Sequence, residues 1–520
     1  MTARLEWWKS AVFYQIYPRS FQDSNGDGDG DLRGIEQRLD HLEWLGVGAV
    51  WITTMYESPH VDGGFDISNY ERVDPRYGTN EDALALIDAI HRRGMKVIFG
   101  YVPNHTSDQH PWFRDSRTSR RSAHADWYLW CDERPNNWID TLGSGAWQWC
   151  DERQQFYYHA YVPQQPDLNW RNRDVRNAMF DVMRYWLDRG VDGLRVDVLW
   201  RLIKDRLRRN DPPNTKFDPK KDPPWKRLEG VFSTNQPEVM DVLREMRSVT
   251  DAYDDRILIG ELYVGISELM KYYSGGHGAQ LPFNFELVVN PWSGPLLTSV
   301  ISRYFGELPV HAWPNWVLGN HDQRRVATRE GEDGARTGAV LLFTLGGTPF
   351  IYNGDEIGMR DADLDLAALD DPKASLAPKY ARDPARTPMQ WSSAHAAGFT
   401  TGKPWLPVAR DFGERNVERQ RADPKSMLNL YRDLIALRAR EEAILTGDFL
   451  PLEPQGNFLA YIRASGSARF LIVANLGDAD AFETNLRGTI EIATNRDRDG
   501  DEAAGRLDVG RREALVIRLK

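Results

Sequence analysis

The 520-residue chain has two cysteines, Cys131 and Cys150. They lie in no CxxC spacing and beside no histidine cluster, which excludes a zinc ribbon or a disulfide framework and leaves reduced thiols as the expectation. Long hydrophobic runs are also absent: none approaches the ~18 apolar residues of a membrane span. The segment Met1 to Glu6 lacks the apolar core of a secretory signal, so a cytoplasmic location without membrane contact is expected. No basic run with interleaved aromatics occurs and the net charge is −11. Nucleic acid is therefore not an expected partner, and small neutral or cationic molecules are. Neither repeats nor long low-complexity tracts occur. The glycosylation sequon Asn104-His105-Thr106 carries little weight without a secretion signal.

What is abundant is tryptophan, 19 residues in all. Most of these rings fill cores, and exposed ones suit the C–H faces of sugars. Apolar runs of strand length at 11–16, 49–52, 96–102, 193–196, 257–260, 282–285, 315–318 and 348–352 alternate with amphipathic helical patterns such as 80–93, 174–189 and 237–251. This alternation predicts an α/β fold, a (β/α)8 TIM barrel. About 70 residues rich in Trp, Asn, Gln and Pro follow the third strand, too many for an ordinary loop, and predict an inserted subdomain. Past a helix at 426–440, short alternating strands predict a C-terminal antiparallel β domain. The expected division is a barrel of 1–104 and 169–443, an insert of 105–168, and a β domain of 444–520. The Pro-, Lys- and Asp-rich stretch 211–226 is expected as an exposed loop over the site face.

Three carboxylates fall at successive strand ends: Asp197 in Gly193-Leu194-Arg195-Val196-Asp197, Glu261 after Ile257-Leu258-Ile259-Gly260, and Asp322 in Asn320-His321-Asp322. A barrel gathers its chemistry at that end. Arg195 and Asp197, two apart on a strand, point the same way, an arrangement that holds a carboxylate ionised beside a cation. His105 and His321 each stand at a strand end, and a histidine there is more often structural than functional; their company raises the functional reading. Asp23, Asn25, Asp27, Asp29 and Asp31 alternate with glycines at 26, 28 and 30, oxygen ligands wrapped for one structural Ca²⁺ or Mg²⁺. Gly34 stands where an EF-hand has its bidentate glutamate, so a single structural ion fits better than a sensor.

Tyr14-Gln15-Ile16-Tyr17-Pro18-Arg19-Ser20-Phe21, Val102-Pro103-Asn104-His105-Thr106-Ser107, Gln165-Pro166-Asp167-Leu168-Asn169-Trp170, Gly193 to Asp197, Asn320-His321-Asp322-Gln323 and Ala385-Arg386-Thr387-Pro388-Met389-Gln390-Trp391 together resemble the α-amylase superfamily, within it the bacterial α-glucosidase and oligo-1,6-glucosidase group. The resemblance implies that Asp197 is a nucleophile kept ionised by Arg195, that Glu261 is the general acid/base, and that Asp322 stabilises the transition state. It further implies that His105 and His321 bind hydroxyls of one glucose, that Phe65 stacks under it, that Asp62 and Arg386 clamp its 4-hydroxyl, and that Arg382 lies nearer the leaving group. It reads the acidic loop as a Ca²⁺ site with ligands Asp23, Asn25, Asp27 and Asp31 and the Asp29 carbonyl. Val198 resembles the α-1,6-cleaving members. Against the family pattern, Gly100 replaces an aspartate that braces the arginine matching Arg195, and Phe65 replaces a tyrosine. Thr53-Thr54, Leu142, Leu194, Arg324 and Asn353 also depart from it.

The expected function is a retaining, exo-acting α-glucosidase for short α-glucosides (isomaltose-type oligosaccharides, maltose, sucrose) with glucosyl transfer as a side activity, working as a monomer or homodimer. The alternatives are a sucrose isomerase or dedicated glucosyltransferase and, more distantly, a non-catalytic sugar-binding relative. No arginine-rich stretch near 303–310 favours the isomerase.

Overall fold

The computed structural model describes residues 5–365 and 369–520. Eight parallel strands form the barrel: β1 (Phe13–Ile16), β2 (Ala49–Ile52), β3 (Lys96–Tyr101), β4 (Gly193–Val196), β5 (Ile257–Gly260), β6 (Leu281–Pro282), β7 (Asn315–Val317) and β8 (Thr348–Tyr352). Their spatial order is β6-β5-β4-β3-β2-β1-β8-β7. Strand side chains are buried on both faces, as a sheet ringed by helices requires. Phe13, Ala49, Trp51, Ile98, Ile257, Ile259, Leu281, Val317 and Phe350 pack together inside the barrel. Val50, Ile52, Val97, Leu194 and Leu258 join the larger core shared with the helices. Gly193 is required by the interior: a Cβ there would lie 2.7 Å from the Ile257 carbonyl oxygen.

No backbone ladder is formed between β6 and β7. The side chain of Asn315 closes that gap, accepting the Asn284 N–H at 3.1 Å and donating to the Pro282 carbonyl at 2.5 Å. The sixth strand is shorter than expected: the Phe283 N–H still donates to the Gly260 carbonyl at 2.7 Å, but Asn284 turns its N–H to the Asn315 side chain.

The expected helices are present. Asn80–Arg92 starts on a capping box of Thr79 and Asp82, an arrangement that satisfies two otherwise orphaned amides. Arg173–Leu187 is capped by Asn172 and Met427–Arg440 by Ser426. Between β3 and Arg173–Leu187 the insert carries a three-stranded antiparallel sheet, Trp130–Cys131, Gln155–Tyr158 and Trp147–Cys150 in spatial order. Bridges His105–Asp167 and Tyr128–Leu168 pin its stem. Both cysteines are free.

The C-terminal domain is a six-stranded antiparallel sheet. Expectation gave four strands. Asp448–Pro451 and Glu502–Val509 were not foreseen, since the latter, Glu-Ala-Ala-Gly-Arg-Leu-Asp-Val, buries only Ala503, Leu507 and Val509. No helix among the described residues is long and apolar enough to cross a membrane.

Candidate active site

The three acids converge where the strands end. Asp197 follows β4 and its backbone N–H donates to the Tyr101 carbonyl at 2.7 Å; Glu261 follows β5 with its N–H on the Val196 carbonyl at 2.9 Å. Main-chain bonds to the neighbouring strand thus fix both positions before any side chain acts. Arg195 points inward from β4 and joins the two acids: one nitrogen donates to Asp197 Oδ1, and Nη2 lies 2.9 Å from Glu261 Oε1. Glu261 Oε2 accepts the Val198 N–H at 3.0 Å. To present that amide Val198 takes φ of +40°, a left-handed conformation costly for a β-branched residue.

All three side chains are nearly inaccessible. Burial, then the neighbouring Glu261 carboxylate, push Asp197 well above the carboxylate range against the pull of Arg195. One guanidinium faces two buried acids, so the pull of Arg195 on Asp197 is opposed by burial and by its neighbour.

Asp322, in the loop after β7, is treated differently. Burial would raise it, but His321, Arg382 and Arg386 hold it well below the usual carboxylate range. His321 is itself kept neutral by burial, pushed down to about 3, so the arginines supply the charge. Arg382 Nη1 donates to Asp322 at 3.2 Å and Arg386 Nη2 at 2.9 Å.

The expected glucose-holding residues gather around this rim. Phe65 stacks on His321 at 5.2 Å and 3°. Gln15 bonds His321 Nδ1 at 2.7 Å. His105 Nε2 lies 3.2 Å from the Phe65 carbonyl and 3.1 Å from Gln165 Nε2, and burial pushes it down to about 4. Both rings are neutral hydrogen-bonding groups at neutral pH. Asp62 accepts from Gln165 at 3.2 Å and from Arg382 Nη2. Asp62 takes Arg382 as its ion-pair partner, while Arg386 Nε donates to the His321 carbonyl at 2.8 Å. The reason is Asp371, which was not foreseen. It grips Arg382 bidentately, Nε at 2.9 Å and Nη2 at 2.8 Å, and turns that guanidinium toward Asp62. The role of Gln165 in joining Asp62 to His105 was also missed, although it opens the Gln-Pro-Asp motif.

Gly100 is the cross-strand neighbour of Arg195. Arg195 Nε and Nη2 make no hydrogen bond, and the guanidinium instead lies 5.0 Å from the Trp51 ring centroid. The other departures are spread out: Leu194 is core, Thr53 borders Gly100, Thr54 Oγ1 donates to the Gly64 carbonyl at 2.9 Å, Asn353 accepts the Tyr17 N–H at 3.0 Å, Arg324 pairs with Asp361 at 2.9 Å, and Leu142 sits half-buried in the insert.

In the acidic loop, Asp23 accepts the amides of Asn25, Gly26 and Gly28 at 2.7–2.9 Å. Asp31 accepts those of Ser24 and Gly34. Asn25 and Asp27 each accept one amide, from Asp27 and Asp29, and the Asp29 side chain turns outward to Arg19 at 2.6 Å. Gly28, with φ of +100°, has the Lys403 carbonyl 2.0 Å from where a Cβ would stand. Among the described residues no group of three or more His, Cys, Asp or Glu converges as a metal cluster.

The α-amylase catalytic-domain family model matches residues 15–447. The chain belongs to the alpha-amylase family. It is a glycoside hydrolase of that family, with a probable α-glucosidase of Rhizobium meliloti 39% identical across 92% of this chain and 90% of the relative. An oligo-1,6-glucosidase of Heyndrickxia coagulans is 38% identical across 91% and 92%. Among solved structures, the α-glucosyl transfer enzyme XgtA superposes with a TM-score of 0.93 at 34% identity, covering 99% of this chain and 100% of that one. An isomaltulose synthase mutant of Erwinia rhapontici NX5 in complex with sucrose gives 0.90 at 30% identity, with all of both chains covered.

Proposed function

We propose that this α-amylase family member is a retaining, exo-acting α-glucosidase for short α-glucosides. The observation that carries the reading is Arg195, whose one guanidinium reaches both Asp197 and Glu261. Two carboxyl groups on one arginine supply the acid and the nucleophile that a retaining glycosidase needs at about 5–5.5 Å. Asp197 attacks the anomeric carbon as Glu261 protonates the departing glycosidic oxygen. Glu261 then takes a proton from water, whose oxygen displaces Asp197. Asp322, held ionised, accepts hydroxyls of the glucose and balances its developing positive charge. Asp62, Arg382, His105 and Phe65 close the pocket behind a single sugar, which makes attack exo. Nuclear magnetic resonance of the first glucose released tests this: the α-anomer is expected, and the β-anomer would overturn retention. Isomaltose, maltose, sucrose and nitrophenyl α-glucoside, compared at low and high concentration, would rank linkages and separate hydrolysis from transfer.

A second reading, glucosyl transfer as the main reaction, is favoured by the TM-score of 0.93 with a transfer enzyme. It shares the covalent step and differs only in the acceptor. We also assign the acidic loop one Ca²⁺ or Mg²⁺, because Asn25 Oδ1 and Asp27 Oδ1 accept one amide each and keep a lone pair for a cation. Such an ion would brace the turn without entering the reaction.

A further inference from the structure

Gln15 is buried on β1, two positions after Phe13, and so faces the barrel interior as Phe13 does. Its Nε2 stands 2.7 Å from His321 Nδ1. The His321 ring is inaccessible and packs against Phe65 at 5.2 Å, Tyr17 at 5.8 Å and, edge to face, Trp51 at 6.4 Å. That packing hinders rotation, so the two ring nitrogens keep different neighbours. Nδ1 has Gln15, and Nε2 has Asp322 Oδ2 at 3.2 Å.

Those neighbours decide where the ring carries its proton. Burial keeps His321 neutral, with one N–H and one lone pair to divide between two nitrogens. Asp322 is held ionised by Arg382 and Arg386 and only accepts. A lone pair on Nε2 would be repelled by that carboxylate oxygen, whereas a proton there is attracted. Nδ1 must then accept, and the Gln15 amide is the group that donates to it. Among the described residues Nε2 forms no hydrogen bond, which leaves its N–H for a sugar hydroxyl.

We propose that Gln15 is a positioning residue that selects the Nε2–H tautomer of His321 and so makes that ring a donor to the glucose held against Asp322. The role in binding rests on the glucosidase reading above; the tautomer does not. Solid-state ¹⁵N nuclear magnetic resonance of histidine-labelled protein at about pH 7 tests it directly, with the His321 signals assigned by their loss in His321→Gln. Nδ1 should be unprotonated and Nε2 protonated, and a proton on Nδ1 would overturn the proposal.

Activity gives a second readout. Gln15→Met removes the donor at similar size and should lower kcat/KM for nitrophenyl α-glucoside ~tenfold at every pH. In Gln15→Glu the new carboxylate and His321 together hold one proton more in acid, and Nε2–H is kept. As pH rises that proton leaves, the remaining one bridges Nδ1 to the carboxylate, and Nε2 turns a lone pair toward Asp322. Asp322, Arg382, Arg386 and Arg195 face the ring, as does the Tyr17 phenol, which burial keeps neutral; none of them changes charge near neutral pH. Gln15→Glu should therefore lose activity ~tenfold or more between about pH 5 and 8, a fall that wild type and Gln15→Met lack. Parallel pH profiles in the two variants would overturn the proposal and leave Gln15 as packing alone. A wild-type protein that turns over no α-glucoside would overturn the glucosidase reading, while the ¹⁵N spectrum would still decide the tautomer.

Discussion

The pocket has two clusters of acids whose cations are distributed differently. At its base Asp197 and Glu261 share Arg195, and Asp197 is pushed up by burial and by its neighbour. At its rim Asp62, Asp322 and Asp371 share Arg382 and Arg386, and Asp322 is held down in spite of burial. The difference is local: two guanidiniums reach Asp322, whereas Asp197 shares one with a second carboxylate. One pocket thus keeps a proton for the leaving group and a permanent negative charge for the sugar.

The largest effect that would break this comparison is at the base. Asp197→Asn should reduce turnover at least ~10³-fold, yet raise Tm at pH 7. The raised acid of the fold costs stability as pH climbs from the unfolded value of about 3.9 toward its folded value, so the gain in Tm should shrink as pH falls toward 4. Thermal melts of both proteins across pH check it; most activity retained would remove Asp197 as nucleophile.

Asp322→Asn should act with the opposite sign. A depressed acid contributes stability above its unfolded value and loses it as pH falls through the folded one. Its Tm should therefore drop at pH 7 and approach wild type in acid, with kcat/KM lower by ~10²-fold or more. Equal Tm shifts for the two asparagine variants would show that the clusters do not differ in charge balance.

Gly100→Asp sharpens the comparison by giving Arg195 a further acid. A Cβ there meets Thr53 C at 3.2 Å and Thr53 O at 3.4 Å, contacts that small shifts relieve. A carboxylate could then meet the unpaired Arg195 Nε. The expected outcome is kcat raised ~3–10-fold, about 0.7–1.4 kcal/mol, with little change in KM. A lower Tm and an unimproved rate would mean that Trp51 and Arg195 have settled into packing that an unpaired buried acid only disturbs.

The smallest effect is expected at the acidic loop, whose carboxylates pair with the arginines of neither cluster. Chelation should lower Tm by a few degrees and leave kcat unchanged, as loss of a ligand bound only by the fold requires. An unchanged melt with no metal by elemental analysis would leave a turn held by its own amides.

Strands and catalytic acids were legible in the sequence because both signals are local. An apolar run marks a buried strand, and the residue after it stands at the strand end. The rim was not legible in the same way. Asp371 meets Arg382 bidentately and through it Asp62, more than 300 positions away, and nothing in Asp-Asp-Pro-Lys marks the first acid as buried. The pairing of Arg382 with Asp62 turns on that one side chain. The raised proton affinity of Asp197 likewise depends on counting neighbours in space, where the spacing of Arg195 and Asp197 shows only one of them. The strand 502–509 escaped because its buried positions include alanine and because a glycine with φ of +67°, Gly505, interrupts its middle.

Asn315 acts as the clasp of a ring. Other neighbouring strands are joined by main-chain bonds that side-chain substitution does not delete, whereas β6 and β7 are held by one amide side chain with two bonds. Glu261 leaves the strand on one side of β6, and Asp322 the strand on the other side of the clasp. Opening there would part the proton donor from the rim acid while the remaining staves stay joined. Heat would then silence this enzyme before it melts it, and the gap between the two temperatures would measure the strength of a single asparagine.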